Sequence, residues 1–202
     1  LLFSLARYEQ VIDAYVAGLE QRLVAGRSVD AIASVASFFV SRVDAKADAL
    51  LPTGSELRGR VAIANARSAY GRYRERFADR RWLALRDAGA RPQRPLWAST
   101  GTKDPAYSDV LYVEELVAPD VINTMPESTL RAFADHGDAT HDLSETTATA
   151  AETLERAEQA GLDLAAITSE LEGEGVRSFC DSYHELLNCI DTKLGRVEQA
   201  SA

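Results

Sequence analysis

The sequence lacks any long hydrophobic run. Its apolar stretches fall well short of the roughly 20 residues that a membrane-spanning helix requires, and we expect no signal peptide. We therefore expect a cytoplasmic protein with no membrane partner. The 202 residues, of which 46% are hydrophobic, suit one globular domain or part of a larger one.

Cysteine is scarce, since only Cys180 and Cys189 are present. The two residues lie in one predicted helix, on opposite faces and about 13 Å apart along its axis. This separation excludes a disulfide between them. We expect two buried free thiols, as in a protein of a reducing compartment.

Metal-binding and catalytic signatures are also missing. His136 and His141 are separated by a glycine and do not have the spacing of two ligands on one helix face. No H-E-x-x-H motif, glycine-rich phosphate loop or nucleophile elbow occurs. We expect exposed loop histidines, no metal and no cofactor.

Charge is unevenly distributed, although the net charge is -9. Residues 42–103 contain 14 Lys and Arg against 6 Asp and Glu, while residues 104–202 contain 5 against 21. The arginines of the basic part point around most of a helix, which predicts a solvated helix surface rather than one binding stripe. The acidic C-terminal part would repel a phosphate backbone, so nucleic acid is not an expected partner.

Three segments have the pattern of buried parallel strands. Residues 32–40 are uncharged and rich in small, β-branched and aromatic side chains, as in a strand that is covered on both faces. Residues 96–99 lead into a hydroxyl-rich turn at residues 99–103, and residues 120–124 form the third predicted strand. Helices are predicted between the strands, and this alternation implies parallel pairing.

Hydrophobic residues at three- and four-residue spacing predict helices elsewhere. The predicted helices are residues 5–26, 56–86, 110–116, 127–135, 144–160, a short segment after Asp163, and a last helix from Val176. Ser4 is the expected N-cap of the first helix. Residues 124–127 fit a capping box before the fourth helix.

Three segments resemble the longer bacterial transaldolases, in the family's order. They are residues 34–44 (SVASFFVSRVD), 94–109 (RPLWASTGTKDPAYSD) and 112–126 (YVEELVAPDVINTMP). The resemblance covers essentially the whole chain, but only the C-terminal part of such a protein, because residues 1–4 resemble the end of the family's fifth strand. It implies an α/β fold, the last part of a (β/α)8 TIM barrel, with βα units at residues 1–143 and additional helices at residues 144–202.

The expected strand ends carry side chains that suit a sugar phosphate. Ligands of parallel α/β folds bind where strands end, and the arginine fork meets two phosphate oxygens at once. The resemblance implies that Arg42 holds the phosphate and that Lys103 is a second cationic contact. It implies that Ser37 contacts the hydroxyls of the three-carbon donor and that Phe39 is an apolar wall beside the reacting carbon. The expected substrate-binding residues are Ser37, Phe39, Arg42, Ser99, Thr100 and Lys103.

The activity implied by the resemblance is that of a transaldolase of the pentose phosphate pathway, which transfers a dihydroxyacetone unit through a lysine Schiff base. The expected substrates are fructose 6-phosphate, sedoheptulose 7-phosphate, erythrose 4-phosphate and glyceraldehyde 3-phosphate. The family's nucleophilic lysine lies on the fourth strand, outside these residues, so we expect this chain alone to be inactive. Among Lys46, Lys103 and Lys193, only Lys103 lies at a strand end, and its polar neighbours make it a poor substitute nucleophile. Lys46 and Lys193 lie in polar helical surroundings and are expected to be solvated.

Alternatives remain open at this point. One is a non-catalytic helical domain whose acidic C-terminal helices bind a protein, and another is a barrel aldolase of the same superfamily that cleaves without transfer. Two residues also have a purely structural alternative. Arg42 could form a salt bridge with Asp44 or Glu56, and Ser37 could be a small packing residue. Part of a barrel exposes unpaired sheet edges, so we expect the missing N-terminal half or self-association to cover them.

Overall fold

The computed structural model describes residues 1–140, 143 and 147–200. The elements in chain order are α1 (Leu5–Val24), β1 (Val35–Phe39), α2 (Ser41–Leu50), α3 (Val61–Arg76), α4 (Arg80–Asp87), β2 (Arg94–Ala98), α5 (Leu111–Glu114), β3 (Ile122–Asn123), α6 (Glu127–His136), α7 (Thr147–Gln159) and α8 (Leu164–Ala200). The predicted start of a helix at Ser144 lies outside the described residues.

Three parallel strands form the sheet, in the order β1-β2-β3. Ser37 pairs with Leu96, and Leu96 pairs in turn with Ile122. A further parallel contact lies at the outer edge of β1, where Leu2 bridges to Phe38. The three predicted strands are thus adjacent and parallel, which excludes a purely helical binding module.

One face of the sheet is buried and the other is open. In β1, Ala36 and Phe38 are buried, whereas Val35 is 42% exposed and Phe39 is half-buried. The Phe38 ring meets that of Trp97 edge to face, with 6.1 Å between centroids, a favourable geometry for aromatic pairs. The prediction of a strand covered on both faces is therefore wrong for the described residues, because helices cover only one side.

Helix α1 packs on the buried face of β1. Its apolar residues recur at helical spacing, and Tyr8, Ile12 and Leu19 among them are buried. The side chain of Ser4 accepts a hydrogen bond from the N–H of Arg7 at 3.2 Å, which satisfies a donor that the first helical turn leaves free. The predicted N-cap is confirmed.

The single long helix predicted at residues 56–86 is wrong, because the chain turns between α3 and α4. Asp79 caps α4 by accepting a hydrogen bond from the N–H of Trp82 at 2.7 Å. The ring of Phe77, at the end of α3, lies 4.7 Å from that of Trp82. The cap and the ring contact therefore stabilise a turn between α3 and α4, although the helical spacing of apolar residues continues through it in the sequence.

The predicted capping box at residues 124–127 is also wrong. Helix α6 begins after Pro126 without a side-chain cap. Thr124 instead attaches β3 to β2, because its hydroxyl donates to the carbonyl of Trp97 at 3.2 Å and its N–H donates to the same carbonyl at 2.9 Å.

After Asp163 the chain forms one helix where two were predicted. Asp163 caps α8 as predicted, accepting a hydrogen bond from the N–H of Ala166 at 2.9 Å, but the helix continues through Val176 without a break. Its N-terminal half is held on α2 by ion pairs of Lys46 with Glu170 at 2.8 Å and with Glu174 at 2.9 Å. Lys46 is therefore paired rather than simply solvated.

The C-terminal half of α8 has no packing partner within the described residues. Phe179, for example, is 62% exposed. Cys180 and Cys189 are free and exposed, so the prediction that they are buried is wrong. None of the described helices combines the length and the apolar character needed to cross a membrane.

Candidate functional site

The carboxyl ends of β1 and β2 are joined by both backbone and side-chain contacts. The N–H of Ser41 donates to the carbonyl of Ser99 at 3.0 Å, and the two hydroxyl oxygens lie 2.9 Å apart. Ser99 has a φ of 58°, in the left-handed region that non-glycine residues seldom adopt. This turn directs the chain out of the sheet into a loop of residues 99–110, which we call the β2–α5 loop.

Arg42 lies in the first turn of α2, directly after this junction. Its guanidinium carbon is 5.7 Å from the centroid of the Phe39 ring, within the range of a cation–π contact. Neither alternative partner pairs with it, since Glu56 pairs with Arg156 at 3.2 Å and Asp44 binds other groups. Within the described residues Arg42 forms no ion pair, so the salt-bridge alternative is wrong.

Ser37 and Phe39 lie on the open face of the sheet, two residues apart in β1. Both are partly exposed. The Phe39 ring also lies 5.2 Å from that of Phe3. The structure therefore brings Ser37, Phe39 and Arg42 to one end of one strand, as predicted from the sequence.

Thr100 and Lys103 differ sharply in their surroundings. The Thr100 hydroxyl is fully buried and lies 2.7 Å from Oδ1 of Asn123 and 3.1 Å from the carbonyl oxygen of Thr124. It therefore fastens the strand end to β3. Lys103 is exposed on the β2–α5 loop, and in the part of the chain that the structure describes it has no ion pair or hydrogen bond.

Two buried carboxylates behind the site were not identified from the sequence. Asp44 is 1% exposed and Asp48 is 7% exposed, and both lie on α2. The phenol of Tyr112 donates to Asp44 at 2.9 Å, and that of Tyr107 donates to Asp48 at 2.6 Å. The only sequence signal was their spacing, which places two acidic residues one turn apart on a helix that also carries apolar residues.

Burial is the largest influence on the titration of Asp44 and of its phenol partner Tyr112. Burial raises the pKa of Asp44 to about 7, although hydrogen bonds from the N–H of Ala62 and from Tyr112 act in the opposite direction. The pKa of Tyr112 is also raised, by burial and by the neighbouring charge of Asp44. Both tyrosines therefore remain protonated hydrogen-bond donors at neutral pH.

No metal centre is found among the described residues, because no three His, Cys, Asp or Glu side chains are grouped to hold an ion. His136 is exposed at the end of α6, where Nε2 lies 2.9 Å from the carboxylate of Asp109. Its pKa is raised by the hydrogen bond to Asp109. His141 lies outside the described residues.

Comparison with known proteins gives a family match over most of the chain. Residues 1–190 match the family model described as transaldolase/fructose-6-phosphate aldolase. The chain is 52% identical over 201 residues to a transaldolase of Parafrankia sp. (strain EAN1pec), covering 96% of this chain and 54% of that protein. It is 52% identical over 202 residues to a transaldolase of Saccharopolyspora erythraea, covering 98% and 55%. A transaldolase of Thermobifida fusca is 52% identical over 200 residues, covering 96% and 54%. The chain thus spans about half the length of the curated relatives it matches.

Proposed function

The chain belongs to the transaldolase/fructose-6-phosphate aldolase family, and we propose that it is the substrate-binding part of a transaldolase. The parallel sheet and its helices are part of the TIM barrel of that family. In the complete enzyme, a dihydroxyacetone unit passes between sugar phosphates of the pentose phosphate pathway in the cytoplasm. The Schiff-base lysine belongs to strands that are not among these residues.

The observation that carries this proposal is a pair of cationic side chains at the carboxyl ends of two adjacent parallel strands. Arg42 and Lys103 follow the junction between Ser41 and Ser99, and among the described residues neither is neutralised by a carboxylate. Ligands of barrels bind at this edge. A phosphate dianion matches two such charges, because the arginine fork binds two oxygens and the lysine adds a mobile point charge.

The open sheet face next to the cations suits the three-carbon donor. Ser37 offers a hydroxyl that can donate to or accept from the hydroxyl groups of a dihydroxyacetone unit. Phe39 supplies an apolar wall and also contacts the Arg42 guanidinium. Ser99 and the buried Thr100 would act mainly by fixing the strand end on which the substrate lies.

The lysines of the chain support the proposal that its nucleophile is elsewhere. A Schiff base requires an unprotonated amine, yet hydrogen bonds from Lys46 to Glu170 and Glu174 raise the pKa of that amine. Lys193 is exposed on the C-terminal half of α8. Only Lys103 lies at the proposed site, where we assign it to phosphate binding.

The remaining half of the barrel is the partner that we propose for the open surfaces. The open face of β1 and the apolar residues of α8 beyond Gly175 are uncovered within the described residues. The apolar residues of α8 recur at three- and four-residue spacing, as in a helix that packs on a neighbour. They are Val176, Phe179, Tyr183, Leu186, Leu187, Ile190 and Leu194.

The direct test is the intact mass of the denatured protein before and after borohydride reduction with fructose 6-phosphate. For this chain alone we expect no added three-carbon unit, because the nucleophile is absent. After association with the corresponding N-terminal segment of the Thermobifida fusca transaldolase, we expect the adduct on that segment. An adduct on Lys103 would contradict its assignment to phosphate binding. Release of free dihydroxyacetone without transfer to erythrose 4-phosphate would indicate an aldolase instead.

A further inference from the structure

The β2–α5 loop carries Lys103 but has few internal contacts of its own. Lys103, Pro105 and Ala106 are exposed. Near them the loop contains a short turn, in which the N–H of Ala106 donates to the Asp104 carboxylate at 2.9 Å. The position of Lys103 therefore depends on how the loop is attached to the rest of the protein.

After Lys103 the loop is attached to α2 by the contact of Tyr107. Its phenol donates to Asp48 at 2.6 Å, while the other carboxylate oxygen accepts a hydrogen bond from the N–H of Gly59 at 3.1 Å. Gly59 has a φ of +70°, and a Cβ there would lie 2.9 Å from the Tyr107 ring. The absence of a side chain at Gly59 thus lets the ring approach the backbone closely.

A second contact of the same kind holds the end of the loop. Tyr112, in α5, donates to Asp44, one turn before Asp48 on α2. The other oxygen of Asp44 accepts a hydrogen bond from the N–H of Ala62 at 2.7 Å, so it caps α3, whose own N-cap residue provides no side-chain bond. Each carboxylate therefore joins α2 to the start of α3 and to the segment that follows Lys103.

Both carboxylates are buried without a cationic partner among the described residues, which is a costly arrangement for groups of this kind. Burial raises the pKa of Asp44 to about 7. An apolar contact between α2 and the loop would avoid that cost, but it would allow the loop to slide along α2. Two phenol–carboxylate hydrogen bonds, in contrast, fix the direction and the register of the loop relative to α2. The two buried hydrogen bonds therefore indicate that the segment after Lys103 must be held in one position relative to α2.

We propose that Asp48 and Tyr107, supported by Asp44 and Tyr112, are positioning residues that fix Lys103 relative to Arg42. Helix α2 carries Arg42 and Asp44 in its first turn and Asp48 in the next. Tyr107 lies four residues after Lys103, so its hydrogen bond joins the loop that carries one cation to the helix that carries the other. This inference rests on the proposed function, because the two cations must bind one phosphate for their separation to matter.

The test is Tyr107→Phe, which removes one hydroxyl and keeps the ring on Gly59. We expect about fivefold weaker binding of fructose 6-phosphate in calorimetry, faster amide hydrogen exchange at residues 101–106, and a melting temperature lowered by a few degrees, because the buried Asp48 loses a donor. The matched control is Tyr15→Phe, because the Tyr15 hydroxyl donates to the carbonyl of Arg91 at 2.8 Å, next to the opposite end of β2. The control should change neither binding nor loop exchange.

The conservative variant Asp48→Asn separates position from charge. Its amide oxygen can accept from Gly59 and its amide nitrogen can donate to the phenol oxygen of Tyr107, so we expect affinity within twofold of the unmodified chain. Equal affinity of the Tyr107→Phe variant and the unmodified chain would overturn the positioning role. If the unmodified chain bound no fructose 6-phosphate, the proposed function itself would be overturned, so the two failures are distinguishable.

Discussion

The buried carboxyl of Asp44 should make the stability of the chain fall as the pH rises. Burial raises its pKa from an ordinary value of 3.8 to about 7, so between these values the folded state binds this proton and the unfolded state does not. The slope of the unfolding free energy with pH follows the protons bound in the unfolded state minus those bound in the folded state. That difference is negative here, so the contribution of Asp44 to stability is fully present below about pH 4 and is lost as the pH rises to about 7.

The size of the effect follows from the pKa difference. Each pH unit across which the folded state holds one extra proton changes the unfolding free energy by about 1.4 kcal/mol. Between pH 5 and pH 8 this group alone should therefore lower stability by roughly 2–3 kcal/mol. Asp44→Asn removes the titration and keeps the contacts, because its amide can accept from the N–H of Ala62 and donate to the oxygen of Tyr112.

The assay is urea unfolding followed by the fluorescence of the buried Trp82 and Trp97, at pH 5, 6, 7 and 8. His136→Gln is the control, because a raised pKa of His136 also gives stability that is lost as pH rises. The Asp44→Asn chain should be nearly flat across this range once that contribution is removed. Equal pH slopes for the Asp44→Asn and unmodified chains would refute the reasoning.

Three further variants test the site and the uncovered surfaces. Arg42→Ala should weaken binding of fructose 6-phosphate about tenfold or more in calorimetry, because it removes the bidentate phosphate contact. Gly59→Ala should lower the unfolding free energy by about 1–3 kcal/mol, since its φ is +70° and the added Cβ meets a tyrosine ring. Phe179→Ser should weaken association with the N-terminal segment of the Thermobifida fusca transaldolase about tenfold in a surface-binding assay.

Matched controls exist for these variants. Arg91→Ala removes an exposed arginine near the opposite end of β2 and should leave affinity unchanged. Gly54→Ala shares a positive φ of +87° but has no atom within 4 Å of the added Cβ, so it measures backbone strain alone. Equal losses at Gly54 and Gly59 would contradict the ring contact, and unchanged association of the Phe179→Ser variant would contradict packing of α8 on the N-terminal half.

Sequence patterns predicted most of the helices, strands and caps that are determined by residues close together in the sequence. The cap at Ser4 and the spacing of the apolar residues in α1 are properties of consecutive residues, and both agree with the structure. The apolar character of β1 and β2 predicted strands, and their alternation with helices predicted parallel pairing. Arg42 was expected at a strand end for the same reason.

The features that were missed depend on partners distant in sequence. Residues 124–127 fit the sequence of a capping box, but the hydroxyl of Thr124 donates to the carbonyl of Trp97 instead of capping α6. The turn before α4 depends on ring packing that helical spacing does not predict. Asp44 and Asp48 are ordinary acidic residues in a helix until Tyr107 and Tyr112 approach them.

The C-terminal half of α8 should make association with the rest of the barrel visible in the circular dichroism of the chain. The helix has 37 residues, which corresponds to about 55 Å, and its apolar face beyond Gly175 is uncovered within the described residues. Helices without tertiary cover are only marginally stable in water. The far-ultraviolet circular dichroism of the chain should therefore gain helical intensity when the rest of the barrel covers this face, in proportion to the fraction of molecules assembled.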